Sequence, residues 1–294
     1  MRILVVGTVS NVGSVIRGEL TRVITALEHL ADIEVFLVES DSSDNSIQEL
    51  SALREKDSRI SFVSLGNLRQ EFPSRIERIR FCRNQYVEFI RRGYQKSGWE
   101  FIVAVDLDGM NKKITESGFR STIEAKTKWS GCFANQTKGY YDLYALRCEG
   151  WVDRDVFSDL QSLKDDYPFE QNDNTKFIAW IKRFNHFDRL RVSAIYSKMR
   201  RISPHDPWVK VQSAFGGLGV YKPEVFLKYN YDFQNLYSEI YSEHIDLHHR
   251  CNLENLELFI NPTMINGSWN VYNLNRIRLI RFLKELKKFL ASTK

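Results

Sequence analysis

Asp106 and Asp108 stand two residues apart, directly after the apolar run Phe101-Ile-Val-Ala-Val and ahead of Gly109. In an extended chain such residues face the same side, so both carboxylates project together from the end of a buried strand. Two adjacent carboxylates repel each other and favour a cation between them. Oxygen ligands of this kind suit Mg²⁺ or Mn²⁺ when a phosphate partner completes the shell. A nucleotide diphosphate would supply that partner, and the metal would stabilise the negative charge that grows on it as a bonded group leaves.

Two further clusters could act with this pair. Glu39-Ser-Asp-Ser-Ser-Asp44 follows the apolar run Ile33 to Val38. Its acidic and hydroxyl groups, Glu39 and Asp41 among them, could accept hydrogen bonds from a nucleobase or ribose. The same segment also fits a helix N-cap, with Ser43 or Asp44 ahead of Ser46. Arg80, Arg83 and Asn84 lie on the segment before the Asp106 strand, where an arginine could reach a diphosphate. Arg75, Arg78, Arg91 and Arg92 lie nearby, which equally fits a solvated basic face.

These groups need a scaffold, and hydrophobic periodicity outlines one. Strands are expected at Arg2 to Val6, Ile33 to Val38, Ile60 to Leu65 and Phe101 to Val105. Helices are expected at Ser14 to Leu30, Ser46 to Leu53 and Ser74 to Ser97, and Thr8 to Gly13 reads as a turn. This alternation predicts an α/β fold with a mostly parallel sheet and helices on both faces. Such sheets bind ligands at the carboxyl ends of their strands. In the second half, residues 115–126, 155–163 and 235–250 read as helices. Residues 128–133, 141–147 and Ala214 to Tyr221 read as strands, and residues 164–212 as a flexible loop on the acceptor side.

Composition bounds the function. The 294 residues are 43% hydrophobic and 13% aromatic, enough for a sizeable core and against disorder. Cys82, Cys132, Cys148 and Cys251 form no C-x-x-C pair, so neither a cysteine zinc site nor a disulfide framework is expected, and reduced thiols are. No secretory signal or spanning segment is legible, which places the chain in the cytoplasm. The net charge is +5, yet residues 273–294 alone carry +6, so the remaining body is near −1. A body of that charge gives no reason to expect nucleic acid as a partner.

The order of motifs carries a resemblance. Asn11 in the first loop, the Glu39–Asp44 turn, Arg83-Asn84 and Asp106-Leu-Asp108 are similar to the pattern of the GT-A glycosyltransferases. Tyr140-Tyr-Asp-Leu-Tyr-Ala-Leu-Arg147, Gln212-Ser-Ala-Phe-Gly-Gly-Leu-Gly-Val-Tyr221 and Ser242-Glu-His-Ile-Asp246 resemble blocks of the fungal capsule α-1,3-mannosyltransferases and their bacterial relatives. The likeness spans about residues 3–265. It implies a GT-A type, Rossmann-like catalytic domain over residues 1–270, with a nucleotide-binding half at 1–112 and an acceptor half at 113–270. It implies a GDP- or UDP-sugar donor, a bound Mn²⁺ or Mg²⁺, and transfer of a hexose to a glycan or lipid-linked acceptor in cell-surface polysaccharide synthesis, with lipopolysaccharide or capsule as the product.

By the same resemblance, Asn11, Glu39, Asp41, Arg83, Asn84 and Asp106 meet the donor. Gly216 and Gly217 line its sugar, and Asp142 and Arg147 lie near the donor or acceptor. Glu243 is the acceptor-side acid, with Asp246 as rival base, because this chain has Glu243-His244 where many inverting relatives have Glu-Asp. A histidine among His244, His248 and His249, with His248 foremost, joins Asp106 and Asp108 on the metal. The mannosyltransferase likeness favours retention and a well-placed Glu243 favours inversion, so stereochemistry stays open.

Residues 271–294 read as a basic amphipathic helix, with Ile277, Ile280, Leu283, Leu286 and Leu290 at spacings of three and four. It fits peripheral contact with the inner face of an anionic membrane through 274–290, with Phe282 and Phe289 adding apolar depth. It equally fits a helix packed on the body. Two other functions compete. Gly7-Thr-Val-Ser-Asn-Val-Gly13, with Glu39, weakly resembles an NAD-type nucleotide site but lacks its middle glycine. The aromatics between Tyr140 and Trp208 could instead serve a non-catalytic carbohydrate-binding protein.

Overall fold

A computed structural model describes residues 1–170, 176–232, 242–268 and 274–292. In the first half the order is β1 (Arg2–Val9), α1 (Ile16–Leu27), β2 (Asp32–Glu39), α2 (Ser46–Lys56), β3 (Ile60–Ser64), α3 (Arg75–Ser97) and β4 (Phe101–Val105). Then come α4 (Glu116–Ile123), β5 (Gly131–Gln136), α5 (Val156–Asp166), α6 (Lys176–Ala194) and β6 (Val209–Val211). The chain continues with β7 (Leu218–Tyr221), α7 (Glu224–Lys228), α8 (Glu243–Leu253), β8 (Leu258–Gly267) and α9 (Arg278–Ser292).

All eight strands join one sheet in the order β3-β2-β1-β4-β7-β5-β8-β6. Pairs among β1, β2, β3 and β4 are parallel, as is β5 with β8. β7 runs antiparallel to both neighbours, and β6 closes the edge antiparallel to β8. The expected mostly parallel α/β sheet is present, and a single sheet runs through both halves of the chain.

Strands buried on both faces read as continuous apolar runs, and β4 is buried along its whole length. Alternation assigns its side chains to opposite layers. Ile102 and Ala104 pack with Tyr86, Val87 and Ile90 of α3. Phe101, Val103 and Val105 pack with Leu20, Val23 and Leu27 of α1. Gly98 ends α3 in the left-handed conformation (φ 60°), where glycine carries no Cβ penalty. The chain then enters β4. Strand order reverses between β1 and β4, which opens a crevice at their carboxyl ends.

Several expectations are corrected. Residues 141–147 form no strand but a turn, tied by the isolated bridge of Arg147 to Ser213. The expected loop at 164–212 contains the 19-residue helix α6. Its apolar residues Phe177, Trp180, Phe184 and Phe187 fall at helical spacing, but interleaved charges mask the period. The expected strand at Ala214 to Tyr221 starts only at Leu218, because Gly216 and Gly217 have positive φ (68° and 84°). Part of the expected helix at 235–250 lies outside the described residues; α8 accounts for the rest.

Gly7 is not a loop residue. It lies inside β1, paired with Leu37, and an added Cβ would sit 2.6 Å from the carbonyl oxygen of Val105. The glycine is there because β1 and β4 approach closely. Gly7→Ala should therefore destabilise the protein by about 1–3 kcal/mol, the usual cost of overpacking a dense core. Urea unfolding checks this: an unchanged midpoint would mean that the sheet widens at no cost.

Candidate functional site

The crevice holds a cleft of about 570 Å³. Thr8–Val12 after β1, Ser40 and Asp41 after β2, and Asp106–Asp108 after β4 form one wall. Arg69, Arg75, Arg78 and Arg83, from α3 and the loop before it, form a second. Tyr141, Asp142, Phe215, Glu243 and His244 close it from the second half.

The β1 and β2 turns are interlocked. Asn11 has positive φ (53°), and its Oδ1 accepts from the Ser43 amide at 2.8 Å. Asp44 accepts from the Gly13 amide (3.0 Å) and the Ser46 amide (3.0 Å), so it ties the first loop to the start of α2, whose N-cap is Asn45. The Ser46 hydroxyl bond lowers the Asp44 pKa most, opposed by desolvation. Glu39 is buried within its own turn, where it accepts from the Ser42 amide at 3.0 Å and from the Ser64 hydroxyl. Its carboxylate therefore organises the turn and does not line the cleft. Asp41, also at positive φ (58°), does line it, with Arg78 Nε at 3.4 Å.

Alternation along β4 carries Asp106 to the α3 side, next to Arg83, and Leu107 to the core under α1. Arg83 is 3% exposed and lies between two carboxylates. Its Nε donates to Glu243 Oε1 at 2.8 Å and its Nη2 to Asp106 Oδ1 at 3.3 Å. Nη1 donates to the Tyr86 hydroxyl at 3.2 Å, and the rings of Phe215 and Tyr231 lie 5.1 and 5.6 Å from the guanidinium. Arg83 thus joins two acids of the site and itself lines the cleft. Asn84 accepts from the Tyr231 amide at 2.8 Å and is a structural clip outside the cleft lining.

Burial pushes the Asp106 pKa up to about 7; Arg83 opposes the rise, and Asp108, Glu243 and Asp142 add to it. Asp108 and Asp142 are also raised, in each case mainly by burial. With Asp41, five carboxyl groups line one cleft, and the buried Arg83 lies between two of them, Asp106 and Glu243. Asp106 and Asp108 fit a hard divalent ion, since Mg²⁺-like ions are commonly held by one or two carboxylates with substrate phosphates and water. Among the described residues, no group of three or more His, Cys, Asp or Glu side chains forms a metal cage.

His248 is corrected as the expected metal ligand. It is buried, with Nδ1 2.9 Å from the Ser213 hydroxyl and Nε2 3.0 Å from the Tyr221 hydroxyl. Burial and the charge of Arg83 lower its pKa to about 3, so it is a neutral core residue. Glu243 lines the cleft at the N-terminus of α8, whereas Asp246 lies one turn on, 3.8 Å from Arg250, and does not. Arg147 pairs with Asp155 at 3.1 Å. Gly216 and Gly217 adjoin the cleft: Gly216 N donates to Asp142 Oδ2 at 2.9 Å, and Gly217 O accepts from Asp106 N at 2.9 Å. Their positive φ, rather than room for a sugar ring, is the visible reason for glycine.

Residue spacing did not single out Tyr141, Phe215 and the rim arginines Arg69, Arg75 and Arg78 as lining residues. The contacts of Arg78 and Arg69 with Asp41, at 3.4 and 3.8 Å, separate that rim from an ordinary basic face.

No family model matches the chain, and neither does any curated protein. Among solved structures, it is similar to a mannosyltransferase from Pyrobaculum calidifontis in complex with GDP-Man and Mn²⁺. That match has 12% identity and a TM-score of 0.49, over 99% of this chain and 64% of that one. It is also similar to S. aureus TarS in complex with UDP-GlcNAc, at 11% identity and a TM-score of 0.44, over 92% of this chain and 59% of that one. A third is mannosyl-3-phosphoglycerate synthase from Rubrobacter xylanophilus, at 10% identity and a TM-score of 0.40, over 100% of this chain and 75% of that one. The chain therefore spans less than two thirds of the length of the first two.

The raised Asp106 pKa has a defined consequence. A carboxyl whose folded pKa exceeds its unfolded value binds its proton more tightly in the fold, so stability falls as pH rises between 3.8 and about 7. In metal-free protein, Asp106→Asn should raise the melting temperature relative to the native chain above about pH 7, with the gap closing towards pH 4. Melting curves across that range check it; a gap independent of pH would refute the shift.

Proposed function

We propose that this protein is a metal-dependent glycosyltransferase of the GT-A type that moves a hexose from a nucleotide-diphosphate sugar to a glycan or lipid-linked sugar in cell-surface polysaccharide synthesis. One observation carries the reading: Asp106, Asp108, Asp142 and Glu243 converge in one cleft at the crevice between β1 and β4. The Asp41 and Asn11 loops would meet the nucleoside and Glu243 the acceptor, and all three line the same cleft. The likeness of the Gln212–Tyr221 and Ser242–Asp246 blocks to the capsule α-1,3-mannosyltransferases supports the choice of a hexose.

Asp106 and Asp108 would hold Mn²⁺ or Mg²⁺, which when bound stabilises the charge of the departing diphosphate. Asp142, fixed by the Gly216 and Ala145 amides, offers its carboxylate to sugar hydroxyls. Glu243 is the base candidate over Asp246, because it alone of the two lines the cleft. Arg83 holds its Oε1 and fixes its orientation. The NAD-type alternative loses its two marks, since Gly7 is inside a strand and Glu39 is turned into its own loop. A non-catalytic carbohydrate binder would retain the aromatic wall but would have no need for the acidic cluster.

Thermal shift with Mn²⁺ and a panel of UDP-, GDP- and CMP-sugars tests the proposal. A ligand at 100 times its Kd should stabilise by about 2.7 kcal/mol, only when metal and nucleotide are both present. Asp108→Ala should abolish the shift. Glu243→Gln should keep it while lowering turnover by about 10²–10⁴-fold. No shift with any nucleotide would end the proposal.

We further propose peripheral contact of α9 with an anionic membrane at the inner face of the cell boundary. No described helix is long and apolar enough to cross a membrane. Phe282 and Phe289 pack against Trp180 at ring distances of 5.4 and 5.1 Å, so the expected apolar depth does not come from them. Arg281, paired with Asp188, pins the same face to α6. The outward stripe consists instead of Leu279, Leu283 and Leu290, exposed at 64, 53 and 53%, with Lys284, Lys287 and Lys288 exposed around it. Each lysine near an anionic surface contributes about 1 kcal/mol. Sedimentation with phosphatidylserine vesicles should therefore carry the protein down at low salt, and replacing the three leucines by serine should leave it in the supernatant.

A further inference from the structure

Glu19 lies in α1 with no exposed surface, although it touches no part of the cleft. A carboxylate is retained in such a place only where its partners offset its desolvation. One oxygen pairs with Arg22. The other, Oε2, accepts from both the backbone amide and the side-chain Nδ2 of Asn111, each at 2.9 Å.

Asn111 is also fully buried, and its Nδ2 donates in addition to the carbonyl of Asp106 at 2.6 Å. It thereby closes the turn Asp106-Leu-Asp-Gly-Met-Asn111 across its ends, with Gly109 at φ 101° supplying the bend. On its other side, Asn111 Oδ1 accepts from Asn266 Nδ2 at 3.4 Å. Asn266 Nδ2 donates to Gly216 O at 2.8 Å, where Gln136 Nε2 also donates at 3.1 Å. A chain of buried bonds thus runs from α1 under the acidic turn to the Gly216 segment that holds Asp142.

We propose that Glu19 is a positioning residue that, acting through Asn111, fixes the turn carrying Asp106 and Asp108 in the spacing that a divalent cation requires. This rests on the metal-and-donor reading of the cleft. A carboxylate suits the role because it accepts two bonds from one asparagine on a single oxygen and still holds Arg22 with the other. Within the chain of buried bonds, Glu19, Asn111 and Asn266 are bonded to one another in sequence, and in such a chain loosening one member moves the rest. Outer partners of metal ligands commonly alter affinity by about 10–100-fold when replaced.

The test is Mn²⁺ titration, followed by electron paramagnetic resonance, of the native chain and of Glu19→Gln, both with saturating UDP or GDP. Glutamine keeps the volume but loses the charge that holds Arg22 and strengthens the Asn111 bonds. The Mn²⁺ Kd is expected to weaken by about 10–100-fold, while the thermal shift with nucleotide is retained once Mn²⁺ is saturating. A lowered melting temperature with an unchanged Mn²⁺ Kd would mean a purely structural role and would overturn the inference alone. Failure of the native chain to bind Mn²⁺ at all would overturn the metal reading together with it. If Glu19→Gln does not fold, Asn111→Ala, which removes the bond to Asp106 but keeps the backbone bond to Glu19, decides by the same titration.

Discussion

The site depends on one buried charge. Arg83 cannot lose its proton, and it sits almost wholly out of water between Asp106 from β4 and Glu243 from α8. Those two acids are 137 residues apart in sequence and come from opposite halves of the chain. Removing either partner would leave the guanidinium partly uncompensated, which is the costly way to break a buried pair. The two halves are therefore joined at the cleft by electrostatics as well as by the sheet. Tyr86 and Tyr231, hydrogen-bonded to each other at 2.8 Å, and the ring of Phe215 complete the enclosure.

Around that charge the acidic groups differ in what holds them. Asp142 is bound by backbone amides, Glu243 by Arg83, and Asp106 by both Arg83 and the turn beneath it. Among the described residues, Asp108 bonds only to its own backbone amide; it is exposed, with the charge of Arg75 nearby. Such a gradient, from rigid Asp142 to open Asp108, suits a site whose charge balance is completed by a bound cation and phosphates. The same arrangement explains why the cleft is acidic at its floor and basic along the α3 rim.

The contact between α6 and α9 follows a different rule. The α6 and α9 helices meet through Trp180, Phe184, Phe282 and Phe289 and through the Arg281–Asp188 pair. Aromatic area supplies the attraction, and the buried ion pair fixes the rotation of α9. With that rotation set, leucines rather than phenylalanines face outward.

The sequence by itself determined the parallel core and the acidic pair. Continuous apolar runs at β1, β2 and β4 separated by amphipathic segments leave few alternatives, and a period of two places Asp106 and Asp108 on one side. It also marked Asp142 and Glu243 through the resemblance of their blocks. Tertiary structure alone decided which polar residues line the cleft. Glu39, Asn84 and His248 have side chains suited to a donor or a metal, but each finds its partners inside the protein, away from the cleft lining. Burial with satisfied hydrogen bonds depends on neighbours distant in sequence, which no local pattern encodes. The same reason hid Glu19, whose place in α1 reads as an ordinary charged helix position until Asn111, 92 residues away, closes over it.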